Sequence, residues 1–241
     1  MIEWQDEGIL LSVKPHGEGH ALVQVLTAEH GRYAGLVHGG ASAKRAPELQ
    51  PGAEMSVEWR ARLADHLGTF SYDLFANNAA RWISDRQRLG AIAAAAAIAT
   101  VLPEREPIPS VFAGLKALLQ VLELDAWPAA YVSWELGVLS AMGYGLALDH
   151  CAVTGASTGL AFVSPRTGAA VTPDGAGEFA GRLLPLPPFL AGADDFSDQD
   201  VADGLRLSGH FLKRDAFGAV NQDLPPARYR LADMFQPPAT P

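Results

Sequence analysis

The stretch ALVQVLTAEHGRYAGLVH, residues 21–38, decides the fold of this chain. Apolar and β-branched residues dominate both of its ends, as they do in β-strands, and the more polar segment Thr27–Arg32 separates them. Within that segment Gly31 stands where a tight turn needs a positive φ angle. We therefore predict two antiparallel strands, Ala21–Ala28 and Tyr33–His38, joined by a hairpin.

Three more segments near the amino terminus carry the same signal, with clusters of Gly, Pro, Asp, Asn and Ser between them. They are Ile2–Lys14, Met55–Ala61 and Gly68–Phe75. Five short antiparallel strands in so compact a stretch are typical of an OB-type barrel. Residues 1–78 are therefore predicted to form one OB-fold nucleic-acid-binding domain.

The pattern changes after this point, because apolar residues begin to recur at spacings of three and four, as on one face of a helix. Ser197 and Asp200 are placed as the N-cap and the first-turn carboxylate of the last helical segment. The predicted helices cover Ile83–Val101, Val111–Leu124, Pro128–Met142 and Asp198–Ala219.

A turn-rich stretch, residues 147–180, interrupts these helices and contains one β-like piece, Gly159–Ser164. The chain as a whole is therefore predicted to be α+β. A five-stranded antiparallel OB-type barrel is followed by an all-helical domain, residues 79–241, which carries the turn-rich stretch as a small insertion without zinc.

The distribution of charge limits where a polyanion can bind. The formal net charge is −9, so the chain is not expected to coat nucleic acid over its whole surface. Residues 1–90 hold 9 Lys and Arg against 11 Asp and Glu, a net charge of −2, whereas residues 91–241 hold 9 against 16, a net charge of −7. A polyanion site is therefore expected to be local and to lie in the first part.

The single cysteine, Cys151, excludes an internal disulfide and a multi-thiolate zinc cluster within one chain. The longest apolar run, Leu89–Leu102, is shorter than a bilayer span and consists mostly of Ala. The first residues, Met1–Gly8, carry acidic side chains, which is the wrong sign for a secretory signal. We expect a cytoplasmic protein without a membrane span.

Loop Gly39–Pro51 presents two adjacent cations among small neighbours, and other cations lie on or beside the predicted strands. Cations on flexible loops contact phosphates without reading base sequence, so this set is a candidate site for a nucleic-acid backbone. Ordinary solvated surface charge is the alternative, since Glu29, Glu54 and Glu58 intrude. The candidate DNA-binding residues are Lys14, Arg32, Lys44, Arg45, Arg60 and Arg62.

The aromatic residues of the predicted barrel are expected to serve mostly as its core, because they are a small barrel's main source of buried area. Exposed aromatic faces in an OB barrel can also stack single-stranded bases, but no stacking residue can be named from the sequence. The residues concerned are Trp4, Tyr33, Trp59, Phe70 and Tyr72.

Signatures of catalysis are missing from the sequence. There is no Gly-rich phosphate loop with Lys and no Gly-x-Ser-x-Gly elbow, and Gly143–Gly145 lacks the third glycine of a dinucleotide turn. No ligand pattern completes a metal site around His16 with His20 or His30 with His38. We expect no catalytic residue, no metal, no cofactor and no small-molecule substrate.

Short segments along the chain, taken in order, resemble the bacterial recombination mediator family RecO. In the predicted barrel they are Gly17-Glu18 before Ala21-Leu22-Val23, Leu26–Arg32, Gly39–Ser42, Leu49–Gly52 and Leu67–Thr69. In the helical part they are Glu135–Leu139, Met142–Leu146, Asp149–Cys151, Phe162–Gly168 and Pro226–Leu231. The resemblance covers nearly the whole chain.

The resemblance implies a non-enzymatic DNA repair protein that binds single- and double-stranded DNA, anneals complementary strands and works with RecR. It also implies contact with the acidic, Phe-ending tail of single-strand binding protein, so that RecA can be loaded onto coated strands. Matching positions nominate Arg32, Lys44 and Arg45 as DNA contacts, and Arg228 and Arg230 as residues that bind a protein partner.

The chain departs from the zinc-bearing members of that family. Cys151 fills one of their four cysteine positions, and Thr154 stands in place of its partner. The resemblance therefore carries no zinc over to this chain, and the role of Cys151 stays open.

Two other functions remain open at this point. An OB-type barrel with an acidic helical body can be a protein-interaction scaffold that never contacts nucleic acid. A hydrolase or metalloenzyme would require a pocket that brings a histidine together with carboxylates from separated segments.

Overall fold

The computed structural model describes residues 1–63 and 65–236. It divides the chain into two compact units, with the boundary between Gln120 and Val121. The boundary predicted at residue 78 marks the end of the barrel strands, whereas the first compact unit also includes the helices that follow them. The predicted second domain runs to Pro241, and residues 237–241 lie outside the described part of the chain.

The first unit contains a closed five-stranded barrel, which confirms the predicted OB-type fold. Neighbouring strands follow the order β1, β2, β3, β5, β4 around the barrel. The strands are β1 (Ile2–His16), β2 (His20–Thr27), β3 (Gly31–Val37), β4 (Ala53–Ala61) and β5 (Gly68–Asn77).

Strand β1 closes the barrel because it pairs with two neighbours. Its first part, Ile2–Ile9, is antiparallel to β4, and its second part, Gly8–His16, is antiparallel to β2. A shift of register between Leu10 and Ser12 marks a β-bulge, which bends the strand from one partner to the other.

One pairing corrects the predicted topology. Strands β3 and β5 run parallel, with Gly35 opposite Gly68 and Leu36 opposite Thr69. The expectation of an entirely antiparallel barrel is therefore wrong at this seam. The reason is topological, because β4 and β5 form a hairpin that returns beside β3 from the far side of the barrel.

The barrel is filled by inward-facing residues of all its strands, and Trp59 is the largest of its fully buried side chains. Its indole Nε1 donates a hydrogen bond to the carbonyl oxygen of Ala34 at 3.3 Å. Phe70 is also buried, so the prediction that the barrel aromatics form core is confirmed for these two residues. Trp4, Tyr33 and Tyr72 pack against the core and remain partly exposed.

Helices follow the barrel in the first unit, and the unit boundary falls one residue before the end of the third helix. They are α1 (Asn78–Arg81), α2 (Arg86–Ala99) and α3 (Pro109–Val121). Asp85 caps α2 by accepting hydrogen bonds from the backbone N–H groups of Gln87 and Arg88. Most of the Ala side chains of α2 are buried, as expected of a buried helix.

The second unit is mainly helical. Ser197 and Asp200 form the predicted capping box at the start of the long helix α6, which confirms that prediction. The helix continues into a π-helical turn, Leu212–Phe217, and a 3-10 turn, Gly218–Val220. The α-helices of this unit are α4 (Trp127–Ala141), α5 (Pro173–Ala176), α6 (Asp198–Phe211) and α7 (Pro226–Asp233).

A small three-stranded sheet shows that this unit is not all-helical, which corrects the prediction. Its strands are β6 (Phe162–Val163), β7 (Ala170–Val171) and β8 (Leu184–Pro185), in the order β7, β6, β8. The β-like piece predicted at Gly159–Ser164 supplies the central strand. Two 3-10 turns, Gly177–Arg182 and Pro188–Ala191, flank β8.

None of the helices formed by the described residues has the length and apolar character that crossing a membrane requires.

Candidate nucleic-acid interface

A row of outward-facing side chains crosses all five strands of the barrel. Lys14 on β1 lies opposite Leu22 on β2, and Leu22 lies opposite Leu36 on β3. Leu36 lies opposite Thr69 on β5, which in turn lies opposite Arg60 on β4. Since neighbouring strands lie about 4.8 Å apart, Lys14 and Arg60 are separated by a path of roughly 19 Å across the barrel surface.

A second row lies two residues further along the strands. His16 is opposite His20, and the ring of His20 contacts the ring of His38 edge-on, with 4.9 Å between centroids. Ser71 lies opposite Glu58 and donates a hydrogen bond from Oγ to its Oε2 at 2.9 Å. The histidines and the Ser71–Glu58 pair of this second row meet at a pocket of about 270 Å³, whose lining includes His38 and Ser71.

The loop of residues 39–51, which we call the basic loop, folds over one end of these rows. The backbone N–H of Ala41 donates to the carbonyl oxygen of Gly19, so the loop contacts the turn between β1 and β2. Leu49 is buried in the barrel core and anchors the end of the loop. The loop is therefore an ordered part of the barrel end.

Arg45 and Lys44 are exposed on the basic loop. Arg45 donates from Nη1 to the carbonyl oxygen of His38 at 2.7 Å, and its guanidinium lies 6.0 Å from the ring centroid of Tyr72. Tyr72 donates from its hydroxyl to Glu48 Oε2 at 2.7 Å, a second tie between the loop and the barrel. Burial and this acceptor raise the pKa of Tyr72 to about 12.

The cations on this face of the barrel are not equally available to bind a phosphate. Arg60 is exposed, but it forms ion pairs with Glu3 on β1 and Glu58 on β4. The hydrogen bond from Arg60 keeps the pKa of the Glu58 carboxyl below its usual value. Exposed pairs of this kind are weak, so a phosphate can compete for Arg60, but only against two carboxylates. Lys14 is exposed at the other end of the row and Arg62 is exposed just beyond the end of β4.

Arg32 was expected to be an exposed DNA contact, but its side chain is largely buried. Its side chain is only 12% exposed and donates from Nε to the carbonyl oxygen of Leu102 at 2.7 Å. Its Nη1 forms an ion pair with Glu104 Oε1 at 3.1 Å. Burial lowers the pKa of Arg32 and Glu104 opposes that shift. Arg32 thus fastens the barrel to the segment after α2, and its guanidinium is not available on the candidate interface.

The two arginines that were predicted to bind a protein partner also differ in their exposure. Arg228 on α7 is 2% exposed and its guanidinium is bonded to Glu135, so its side chain does not lie on the surface where it was expected to meet a partner. Arg230, two residues further along the same helix, is exposed and stays a candidate for partner binding.

Sequence reasoning missed the grouping of the histidines. It paired His30 with His38, whereas His30 belongs to another contact: its ring stacks on Trp4 at 4.1 Å, and its Nδ1 lies 2.9 Å from Asp6 Oδ2. Burial of Asp6 raises its pKa, but the hydrogen bonds from His30 and from two backbone N–H groups outweigh that effect and leave the pKa lowered. The alternation of side chains between the two faces of a strand could have revealed this grouping. Residues 14, 16, 20, 22, 36 and 38 are all even-numbered across three strands, so their side chains are expected on one face.

Cys151 is held within the turn-rich part of the second unit. Its Sγ accepts hydrogen bonds from the backbone N–H groups of Thr154 at 3.4 Å and Thr172 at 3.3 Å, and the Thr172 hydroxyl lies 3.5 Å away. Burial raises the pKa of Cys151, but these hydrogen bonds outweigh it and bring the pKa to about 6. Among residues 1–63 and 65–236, no group of three or more His, Cys, Asp or Glu is placed to hold a metal ion.

Comparison with known proteins agrees with the resemblance seen in the sequence. The family description "Recombination protein O N terminal" matches residues 1–76, and "Recombination protein O C terminal" matches residues 83–222. A protein named "DNA repair protein RecO" from Cereibacter sphaeroides is 47% identical over 237 residues, which cover 98% of this chain and 99% of its own length. Proteins of the same name from Ruegeria sp. and Rhodospirillum centenum are 46% and 44% identical, covering 96% and 98% of this chain and 98% and 95% of their own lengths.

Proposed function

The chain belongs to the recombination protein O family, and from that premise we propose that it acts in DNA repair as a non-enzymatic mediator. In this role it binds single- and double-stranded DNA and promotes annealing of complementary strands. Together with RecR it helps to load RecA onto DNA coated with single-strand binding protein. The name shared by its relatives supports the DNA repair role.

The arrangement of cations on the barrel is the observation that carries the DNA-binding part of this proposal. Lys14, Lys44 and Arg45 are exposed and border one face of β1, β2 and β3. In OB folds the face formed by strands 2 and 3 binds oligonucleotides, and the basic loop follows β3 directly. Because this chain is acidic overall, a face with three exposed cations is where a phosphate backbone meets least repulsion.

Binding is expected to be weak and steeply dependent on salt, since only a few cations can displace counterions from the DNA. Arg62 extends the same surface beyond β4, whereas Arg60 contributes less because of its two carboxylate partners. The leucine side chains of the row, Leu22 and Leu36, are half-buried and present an apolar strip between the cations. Such a strip can contact bases or sugars without hydrogen-bonding to them, while the cations contact phosphates, which carry no sequence information.

Reversing the charge of the basic loop tests the DNA-binding proposal. The double variant Lys44→Glu/Arg45→Glu is compared with wild type by fluorescence anisotropy, using labelled single- and double-stranded DNA at two salt concentrations. Arg86→Glu/Arg206→Glu is the matched control, because it changes the net charge equally at two exposed residues outside the barrel strands. Loss of binding in the first variant alone supports the proposal, and equal affinity in all three proteins contradicts it.

A scaffold that binds only proteins is the second candidate function, and the pairing of Arg60 and Arg32 with carboxylates favours it. The same assay separates the two functions. A wild-type chain that binds neither form of DNA at low salt, yet binds RecR, would be such a scaffold.

A further inference from the structure

Three histidines lie side by side at the end of the barrel face that the basic loop borders. His16 on β1 lies opposite His20 on β2, and the ring of His20 contacts the ring of His38 edge-on, with 4.9 Å between centroids. His16 and His38 are exposed, whereas His20 is half-buried between them. We call these three residues the histidine trio.

The histidine trio lies among the cations of the candidate interface. Lys14 precedes His16 by two residues on β1, so their side chains project from the same face, with Cα atoms about 6.6 Å apart. Arg45 of the basic loop donates from Nη1 to the carbonyl oxygen of His38 at 2.7 Å, which places its guanidinium beside the trio. A phosphate backbone that contacts Lys14 and Arg45 therefore passes close to the histidine rings.

A hydrogen bond fixes the position of the proton on the central ring of the trio. The backbone N–H of Gly39, the first residue of the basic loop, donates to His20 Nδ1 at 3.2 Å. Because Nδ1 is an acceptor here, the neutral ring carries its proton on Nε2, from which it can donate to an anion. This bond thus orients His20 as a donor and ties the start of the basic loop to the ring.

The charges around the histidine trio explain why protonation of its exposed members would matter. Cationic and acidic side chains offset one another on the elements around the trio, so this surface attracts a polyanion only weakly while the rings are neutral. Glu58 is paired with Arg60, and Glu48 accepts a hydrogen bond from the hydroxyl of Tyr72. The charged residues concerned are Lys14, Glu18, Lys44, Arg45, Glu48, Glu58, Arg60 and Asp73.

We propose that the histidine trio is a second phosphate-binding site of the barrel, and that DNA binding there is coupled to proton uptake by His16 and His38. Histidine is the side chain whose charge ordinarily changes between about pH 5 and pH 8. A phosphate beside an imidazole favours its charged form, and the charged ring in turn displaces a counterion from the DNA. His20 adds a neutral hydrogen bond from Nε2. The affinity for DNA therefore rises as the pH falls.

A metal site is the other common use of clustered imidazoles, and the geometry of the trio does not favour it. The backbone N–H of Gly39 already occupies Nδ1 of His20. Within residues 1–63 and 65–236, no three His, Cys, Asp or Glu side chains are arranged around one ion position. The trio is therefore better suited to an anion, which its ring N–H groups can bind.

The test measures the affinity of labelled single-stranded DNA by fluorescence anisotropy at pH 8 and at pH 6. It rests on the proposed DNA-binding function, to which the trio adds a dependence on pH. The affinity of wild type is expected to rise by about 10-fold or more at pH 6, because two histidines each take up a proton on binding. The slope of log K against log salt should also steepen by about 0.7 for each protonated histidine that meets a phosphate.

The double variant His16→Gln/His38→Gln should lose most of the gain in affinity at pH 6 and most of the change in salt slope. His150→Gln is the matched control, because His150 is an exposed histidine of the second unit. Its gain should equal that of wild type, since the smaller negative charge of the whole protein at pH 6 is common to all three proteins. Circular dichroism at both pH values verifies that each variant is folded.

Three outcomes decide between the possibilities. A gain at pH 6 that wild type and His150→Gln share, and that the double variant lacks, supports the histidine trio. The same dependence on pH in all three proteins, or none in wild type, overturns the trio and leaves the DNA-binding function standing. A wild-type chain that binds DNA at neither pH overturns both the trio and the DNA-binding function.

Discussion

Arg228 on α7 donates from Nε and Nη2 to the two carboxylate oxygens of Glu135 on α4, 93 residues earlier in the chain. Both side chains are almost completely buried, with exposed fractions of 2% and 0%. Ser208 on α6 donates from Oγ to the same carboxylate. One buried ion pair thus joins three helices of the second unit.

Removal of one partner of this pair is expected to destabilise the second unit strongly. Arg228→Met leaves the carboxylate of Glu135 buried without its counter-ion, at a cost of about 3–5 kcal/mol. The double variant Arg228→Met/Glu135→Leu removes both charges and should recover a large part of that loss. Urea denaturation measures both free energies of unfolding, and a double variant no more stable than the single one would contradict this account.

The stability contributed by Cys151 should depend on pH. Its pKa in the folded chain is about 6, below the ordinary value of 9.0. A depressed pKa stabilises the folded state fully above pH 9, and this contribution falls as the pH drops from about 9 to about 6. The difference in unfolding free energy between wild type and Cys151→Ala should therefore grow over that interval of rising pH.

Cys151→Ser provides the matched control, since a serine hydroxyl does not ionise in this range. Its difference from Cys151→Ala should stay constant with pH. If the difference between wild type and Cys151→Ala is also constant with pH, folding does not lower the pKa of the Cys151 thiol.

Gly31 is expected to tolerate no side chain. Its φ angle is +76°, and a Cβ there would lie 2.3 Å from the carbonyl oxygen of Glu106. Gly31→Ala should therefore cost more than the roughly 1–2 kcal/mol of a left-handed backbone alone. Gly19→Ala isolates that backbone cost, because Gly19 has φ of +84° and open space around the new methyl group. Thermal unfolding should rank Gly31→Ala clearly below Gly19→Ala, and equal melting temperatures would exclude the clash.

The cations of the barrel should differ in their effect on the salt dependence of DNA binding. If Lys14 and Lys44 contact phosphates as proposed, Lys14→Ala and Lys44→Ala should each reduce the slope of log K against log salt by about 0.7–0.9. Arg60→Ala should change the slope less, because Glu3 and Glu58 already neutralise that charge. Arg206→Ala is the control, and the same slope in all four variants would remove these residues from the interface.

The local elements of this chain could be predicted because their signals are local. The hairpin around Gly31 and the capping box of Ser197 and Asp200 depend on residues only a few positions apart. The parallel pairing of β3 with β5 could not be predicted this way, since it depends on how the barrel closes.

The candidate interface was predictable in part. The sequence identified Lys44 and Arg45 as cations on a loop and Lys14 as a cation on a predicted strand, and the structure leaves all three exposed. It did not show that Arg32, grouped with them, and Arg228, predicted to bind a partner, are paired with carboxylates 72 and 93 residues away along the chain. A long-range partner of this kind leaves no periodic signal near the residue itself.

The amino-acid sequence alone determined the strand and helix pattern, the acidic balance and the family, because hydrophobic periodicity, turn residues and ordered motifs are properties of neighbouring residues. Only the tertiary structure decided which arginines are buried in ion pairs and which histidines share a face. The physical reason is that exposure and charge pairing depend on distances in space, and folding brings together residues that are far apart in the chain.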